Sequence, residues 1–125
     1  LKRHEVNGIV LSALLKLKNS TSQEVSVKID QFSERRKATQ PPGASMGSMF
    51  KNPEGDHAGR LIEAAGLKGT RIGNAEISTV HGNFFINHGE TKAEDVRALI
   101  ALVQKTVLEK FGIDLELEVE VIGNW

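Results

Sequence analysis

Apolar residues fall into separate blocks along the chain, and their spacing changes from block to block. From Gly8 to Leu17, Ile9, Leu11, Ala13, Leu15 and Leu17 share one parity, and Val10, Ser12, Leu14 and Lys16 share the other. Both sets are largely apolar over a short run, which predicts a mostly buried strand. Lys18-Asn19-Ser20 reads as a turn. Thr21-Ser22-Gln23-Glu24 is a capping box, with the Thr21 hydroxyl placed for the Glu24 N–H and the Glu24 carboxylate reaching back. Val25, Ile29 and Phe32 then recur at helical spacing. A helix is predicted to about Lys37, with Arg35 and Arg36 in its last turns, where cations suit the helix dipole. Pro41 and Pro42 prevent it from continuing.

Further on, Asp56 is placed to cap a short helix from His57 to Ala65. Its stripe is Ala58, Leu61, Ile62 and Ala65, with Gly66 just beyond its end. Leu67 to Asn74 reads as a glycine-rich connection. Ala75–Val80 and Asn83–Asn87 read as two strands of a hairpin turning at His81-Gly82. Thr91-Lys92-Ala93-Glu94 is a second capping box. Behind it Ala93, Val96, Leu99, Ile100, Val103 and Val107 form the clearest amphipathic stripe, ending near Lys110 with Gly112 beyond it. Leu115, Leu117, Val119 and Val121 alternate with Glu116, Glu118 and Glu120, a strand with one carboxylate face. The order strand, helix, loop, helix, hairpin, helix, strand predicts an α+β domain, a small sheet with helices on one face.

Composition narrows what such a domain does. The 125 residues suffice for one domain with one core. Sixteen Lys and Arg balance sixteen Asp and Glu, so the chain lacks the basic excess of a general nucleic-acid or membrane-surface binder. Without cysteine there is no disulfide and no thiolate metal site, which fits the cytoplasm. No apolar run is long enough to span a bilayer, and the first residues do not form a signal peptide. A start at Leu1 suggests that sequence upstream has been removed.

The densest chemistry lies in Gly47-Ser48-Met49-Phe50-Lys51-Asn52-Pro53, which follows Gln40-Pro41-Pro42-Gly43-Ala44-Ser45-Met46. Two prolines and two glycines rule out helix or central strand there. They predict a constrained loop around Ser48 with free backbone N–H groups, a setting for an anion or a presented hydroxyl, or simply a connecting loop. The phosphate-loop spacing is absent, and so is a Gly-x-Ser-x-Gly elbow. Ser48, His81 and Glu118 are the residue types of a hydrolytic triad, but any globular chain offers such a trio. His4, His57, His81 and His88 show no metal-ligand spacing on one element, so no metal site is predicted. Glu116, Glu118 and Glu120, by spacing alone, are a solvated face.

Several motifs in register do carry a resemblance. Gly47–Pro53, Ala58-Gly59-Arg60-Leu61-Ile62, Gly66-Leu67-Lys68-Gly69, Ile72-Gly73, the run from Ser78 to Asn87 and Leu115-Glu116-Leu117-Glu118-Val119 follow one pattern. Over Gln40–Gly123 the chain resembles the C-terminal substrate-binding domain of the UDP-N-acetylenolpyruvoylglucosamine reductase (MurB) family. The resemblance implies a flavoenzyme that reduces FAD with NADPH and then delivers hydride to UDP-N-acetylglucosamine enolpyruvate, giving UDP-N-acetylmuramate for bacterial peptidoglycan. It implies Ser48 as proton donor to the carbanion centre and Glu118 as stabiliser of the enol-like intermediate. Asn52 would face the UDP-sugar, His81 the uridine and Gln40 the diphosphate, with Arg36 assisting there and Lys51 also on the substrate side. Residues 1–20 would hold the last strand of an otherwise missing FAD-binding domain, and residues 21–125 the substrate-binding domain. No cofactor-binding residue is expected in this stretch, and neither nucleic acid nor membrane is an expected partner.

The chain also departs from the family pattern. The FAD-binding domain and the arginine expected on the substrate carboxylate are absent from it. With no tyrosine anywhere, the tyrosine that caps the substrate in one branch has no counterpart. A non-catalytic UDP-sugar-binding module, or a structural domain keeping the motifs by descent, are the competing expectations.

Overall fold

A computed structural model describes residues 10–123. Helix α1 (Ser22–Thr39) starts at the predicted box: Glu24 N–H donates to Thr21 Oγ1 at 3.2 Å, and Thr21 N–H donates to Glu24 Oε2 at 3.2 Å. Its apolar positions are not buried. Val25, Ile29 and Phe32 are exposed, and no residue of α1 is buried. Of the expected strand Gly8–Leu17, the described part forms no strand. Gly8 and Ile9 lie outside the described residues, and Val10–Leu17 is irregular and exposed. A strand needs a neighbour to take its N–H and C=O groups, and the sheet of the described residues lies elsewhere.

That sheet has four antiparallel strands in the order β1-β4-β3-β2: β1 (Ala44–Ser48), β2 (Arg71–Ile72), β3 (Ala75–Ile77) and β4 (Phe84–Asn87). Strand β1 corrects the expectation of a loop around Ser48. Pro41 and Pro42 precede the strand, and β1 lies at the sheet edge, where proline and glycine are tolerated. Strand β2 also corrects the reading of Leu67–Asn74 as connection only, since Arg71 and Ile72 pair with Glu76 and Ala75. The predicted hairpin is present as β3 and β4, with a longer turn because Ser78 to Asn83 lie outside the ladder. The final strand is reduced to one bridge, Phe50 to Leu117, flanked by Lys51 N–H to Glu116 O at 2.8 Å and Glu118 N–H to Met49 O at 2.9 Å.

Helix α3 (Ala93–Phe111) packs on β2 and β3, and helix α2 (Ala58–Ala64) packs against α3, burying Ala58, Leu61 and Ile62 in the same core. Helix α3 buries Leu99, Ile100, Val103 and Val107 against Ile62, Ile77, Phe85 and Leu115, the stripe that its spacing predicts. Its cap lies one residue later than expected. Lys92 N–H donates to Asp95 Oδ2 at 3.2 Å, while the Thr91 hydroxyl is drawn away to Asn74 O at 2.8 Å. The result is an α+β domain whose core begins one residue after Ser48, at Met49 and Phe50, both fully buried.

Candidate functional site

Two features of β1 fix where Ser48 sits. Ser45 pairs with Ile86 and Ser48 with Phe84, so β1 carries one extra residue there, a bulge. Gly47 supplies it at φ 82°, a conformation that side chains other than glycine resist. Bulges turn a side chain out of the alternation of its strand, and here the half-buried Ser48 lines a cleft. Immediately after it, Met49 and Phe50 are held by Asn83. Asn83 O accepts from Met49 N–H at 2.9 Å, its Oδ1 accepts from Phe50 N–H at 2.9 Å, and its Nδ2 donates to Phe50 O at 2.8 Å.

The cleft has a volume of about 320 Å³ and lies between the end of β1, the start of α2 and the β3–β4 turn. Ser48, Asn52, His57, Arg60, Glu63, His81 and Asn83 are its polar walls, and the Glu63 carboxylate among them is paired with Lys68 at 3.1 Å. Asn52 Oδ1 accepts from Ala58 N–H at 3.1 Å, taking one of the unpaired donors at the N-terminus of α2. This leaves the Asn52 NH₂ group as its donor for a ligand. His81 stands edge-on to Phe84, with ring centroids 4.9 Å apart, and its Nδ1 accepts from Asn83 N–H at 3.2 Å. A neutral ring then carries its proton on Nε2, available as a donor. The imidazole lies against Gly59, where an added Cβ would come within 2.8 Å of His81 Cε1. Gly82 is equally tight, since a Cβ there would come within 2.8 Å of Gly59 O. Glycine at both positions lets α2 and the turn close on one another and form the cleft floor.

At the rim Arg60 Nε donates to Asp56 Oδ1 at 2.6 Å, and Arg60 Nη2 donates to Asp56 Oδ2. The Arg60 guanidinium, joined by the His57 N–H, holds the Asp56 carboxyl down to about 2, so the pair stays ionised at neutral pH. The guanidinium keeps further N–H groups for an anion. Asp56 thus acts one residue earlier than a cap would, and the N-cap position is His57.

Of the residues that the sequence points to, Ser48, Asn52 and His81 converge here. Lys51 does not line the cleft; its half-buried side chain is paired to Glu116. Glu118 is exposed, like Glu116 and Glu120, and does not line the cleft; its backbone N–H donates to Met49 O at 2.9 Å. Gln40 and Arg36 lie at the C-terminal end of α1, where Gln40 N–H donates to Arg36 O at 2.8 Å. The roles of Asn83, Arg60 and Gly59 escape a reading of spacing. Their trace in sequence is that Gly59 and Arg60 lie in the motif Ala58-Gly59-Arg60-Leu61-Ile62 and Asn83 in the run from Ser78 to Asn87, with no role read for them there. The hydroxyl, amide, imidazole and guanidinium of this cleft, with its one carboxylate, Glu63, neutralised by Lys68, suit an oxygen-rich, anionic ligand such as a phosphorylated sugar.

The chain is similar to proteins that are already known. The family model described as "UDP-N-acetylenolpyruvoylglucosamine reductase, C-terminal domain" matches residues 38–122. A protein of that name from Chloroflexus aggregans is 48% identical over 125 residues, covering 98% of this chain and 42% of the relative. Another, from Bacillus licheniformis, is 46% identical over 123 residues, covering 98% of this chain and 67% of the relative. The crystal structure of UDP-N-acetylenolpyruvylglucosamine reductase from Thermus caldophilus superposes with a TM-score of 0.70 at 44% identity, over 84% of this chain and 37% of that one. Against the Chloroflexus aggregans protein, the chain spans about two fifths of the relative's length.

Proposed function

The chain belongs to the UDP-N-acetylenolpyruvoylglucosamine reductase family, matching its C-terminal domain, and from that premise we propose that it is the substrate-binding and proton-donating part of UDP-N-acetylmuramate dehydrogenase. The whole enzyme reduces UDP-N-acetylglucosamine enolpyruvate to UDP-N-acetylmuramate in the bacterial cytoplasm, for peptidoglycan synthesis. FAD, held mainly by a separate FAD-binding domain and reduced by NADPH, supplies the hydride. Residues 1–20 belong to that domain in this reading. The observation that carries the proposal is the convergence of Ser48, Asn52 and His81 on one polar cleft.

The chemistry assigns the chain its own task. Hydride adds to the methylene carbon of the enolpyruvyl group, the C=C π bond breaks, and the electron pair moves to the carbon beside the carboxylate. A proton must arrive there, and Ser48 Oγ–H supplies it, its oxygen then being reprotonated from water. A serine hydroxyl is a weak acid at rest, so its position against the developing charge matters more than its acidity. Glu118 stabilises the enol-type intermediate by donating a hydrogen bond, which requires a protonated and hence buried carboxyl. It is exposed here, so the proposal requires cover from substrate or from the FAD-binding domain. The Asn52 NH₂ group faces the sugar and His81 the uridine. Lys51 reaches the substrate by exchanging Glu116 for it, and Gln40 with Arg36 serves the diphosphate.

Stopped-flow absorbance on a full-length reductase carrying this domain tests the assignment. Ser48→Ala should leave flavin reduction by NADPH unchanged and slow reoxidation by substrate about 10²–10⁴-fold. Glu118→Gln should impair the same half-reaction, and Glu116→Gln and Glu120→Gln should not. If Ser48→Ala slows neither half-reaction while UDP-sugar still binds, the domain is a binding module and not a proton donor. If the three glutamates behave alike, they are one solvated face.

A further inference from the structure

We propose that Asn83 is the positioning residue for the Ser48 hydroxyl, an inference that rests on the proton-donor reading of Ser48. Asn83 is 4% exposed and uses every polar group it has. Its N–H donates to His81 Nδ1, its C=O accepts from Met49 N–H, its Oδ1 accepts from Phe50 N–H and its Nδ2 donates to Phe50 O. One residue therefore ties the cleft's imidazole to the strand end that presents its hydroxyl.

The side chain does the work of a missing strand residue. Beyond Ser48 the pairing of β1 with β4 has ended, yet Phe50 still needs partners for its N–H and C=O inside the core. A primary amide has the acceptor and donor of a peptide unit in one plane, so Asn83 completes the ladder by one step. Without it, the segment after Ser48 is tied to the turn before β4 only through Met49 N–H, its other backbone bonds run to Glu116 and Glu118 on the far side, and the bulge at Gly47 resists little rotation. Ser48 would keep its place in the sequence and lose its aim. A displacement of about 1 Å at a reacting group costs on the order of 10²-fold in rate.

The backbone bonds of residue 83 survive any substitution, so a variant removes only the Phe50 link. Asn83→Leu deletes both amide bonds at similar volume. Asn83→Asp keeps the acceptor for Phe50 N–H and sets an oxygen against Phe50 O. In a full-length reductase carrying this domain, each is made alone and with Ser48→Ala, and the two flavin half-reactions are followed separately. Flavin reduction by NADPH should be unchanged, and reoxidation by substrate should slow about 10–10²-fold. Added to Ser48→Ala, either variant should slow reoxidation no further, because it acts through that hydroxyl. A purely structural role would instead slow both half-reactions, or multiply with Ser48→Ala, and either result overturns the proposal. If Asn83→Leu does not fold, Asn83→Asp decides by the same measurements. Ser48→Ala slow with both Asn83 variants at full speed overturns this inference alone. Ser48→Ala at full speed overturns the proton-donor reading and this inference with it.

Discussion

Helices α1 and α3 are nearly the same length, 18 and 19 residues, and each starts with an acidic residue bonded back to its cap. Yet α3 buries four residues of its stripe, and α1 buries none. The start of each helix was written locally, in residues three apart. Burial was not, because it depends on what lies across from the stripe. The division runs through the candidate site as well. Ser48, Asn52 and His81 stand on elements backed by the α3 core, whereas Arg36 and Gln40 stand at the end of the uncovered helix.

The largest test of this difference is a pair of truncations. Leu99→Ala empties a fully buried position in α3 and should cost about 2–5 kcal/mol of unfolding free energy. Phe32→Ala removes a larger side chain that is 63% exposed on α1 and should change stability by no more than about 0.5 kcal/mol. Urea denaturation of the chain measures both. Comparable losses would mean that α1 is packed after all, and that the contrast between the two helices is false.

A smaller effect separates helix formation from domain stability. Thr21→Ala removes the hydroxyl that accepts from Glu24 N–H and should cost α1 about 1 kcal/mol. An isolated helix of this length is marginal in water, so this loss should show directly as reduced helical Cα shifts over residues 22–39. The unfolding midpoint of the core should not move. A shift in that midpoint would couple α1 to the core.

The same distinction governs what could be read from sequence. The α1 box, the α3 stripe and the β3–β4 hairpin needed only neighbours along the chain, and they were legible. Strand β1 was not, because Ala44–Ser48 becomes a strand only through Phe84–Asn87, far along the chain. Thr91 has the right residue type for a cap, but a hydrogen bond to Asn74 O removes it, and Lys92 takes the position. Leu115–Val121 has a strand's alternation and forms a single bridge, because only Phe50 lies beside it. At the site, the family resemblance marked Ser48, Asn52 and His81 together, where residue types alone left Ser48 on a connecting loop and His81 at a surface turn. The Asp56–Arg60 fork has the i,i+4 spacing of a helix ion pair and was readable but not read, whereas the clamp by Asn83 joins positions 33 residues apart, which no spacing encodes.

The smallest predicted effect is one of pH, and it falls on α1. Glu24 Oε2 accepts from Ser20 Oγ at 2.7 Å and from Thr21 N–H at 3.2 Å. The Ser20 hydroxyl first, then the Thr21 N–H, holds the Glu24 carboxyl below its usual 4.5. Both bonds favour the ionised form, so the capped helix binds its proton less readily than the frayed one. The support that Glu24 gives α1 is therefore complete above 4.5 and is lost as pH falls through its depressed value. Helical shifts over residues 22–39 should hold down to about that point and decline below it, while those of α3 persist on the strength of its buried stripe. Ser20→Ala removes the larger of the two causes and should move the decline of α1 to higher pH, towards the ordinary glutamate value. If α1 instead keeps its shifts at low pH, or if both helices decline together, something besides the capping box holds it, and the surface now exposed at Val25, Ile29 and Phe32 is the place to look.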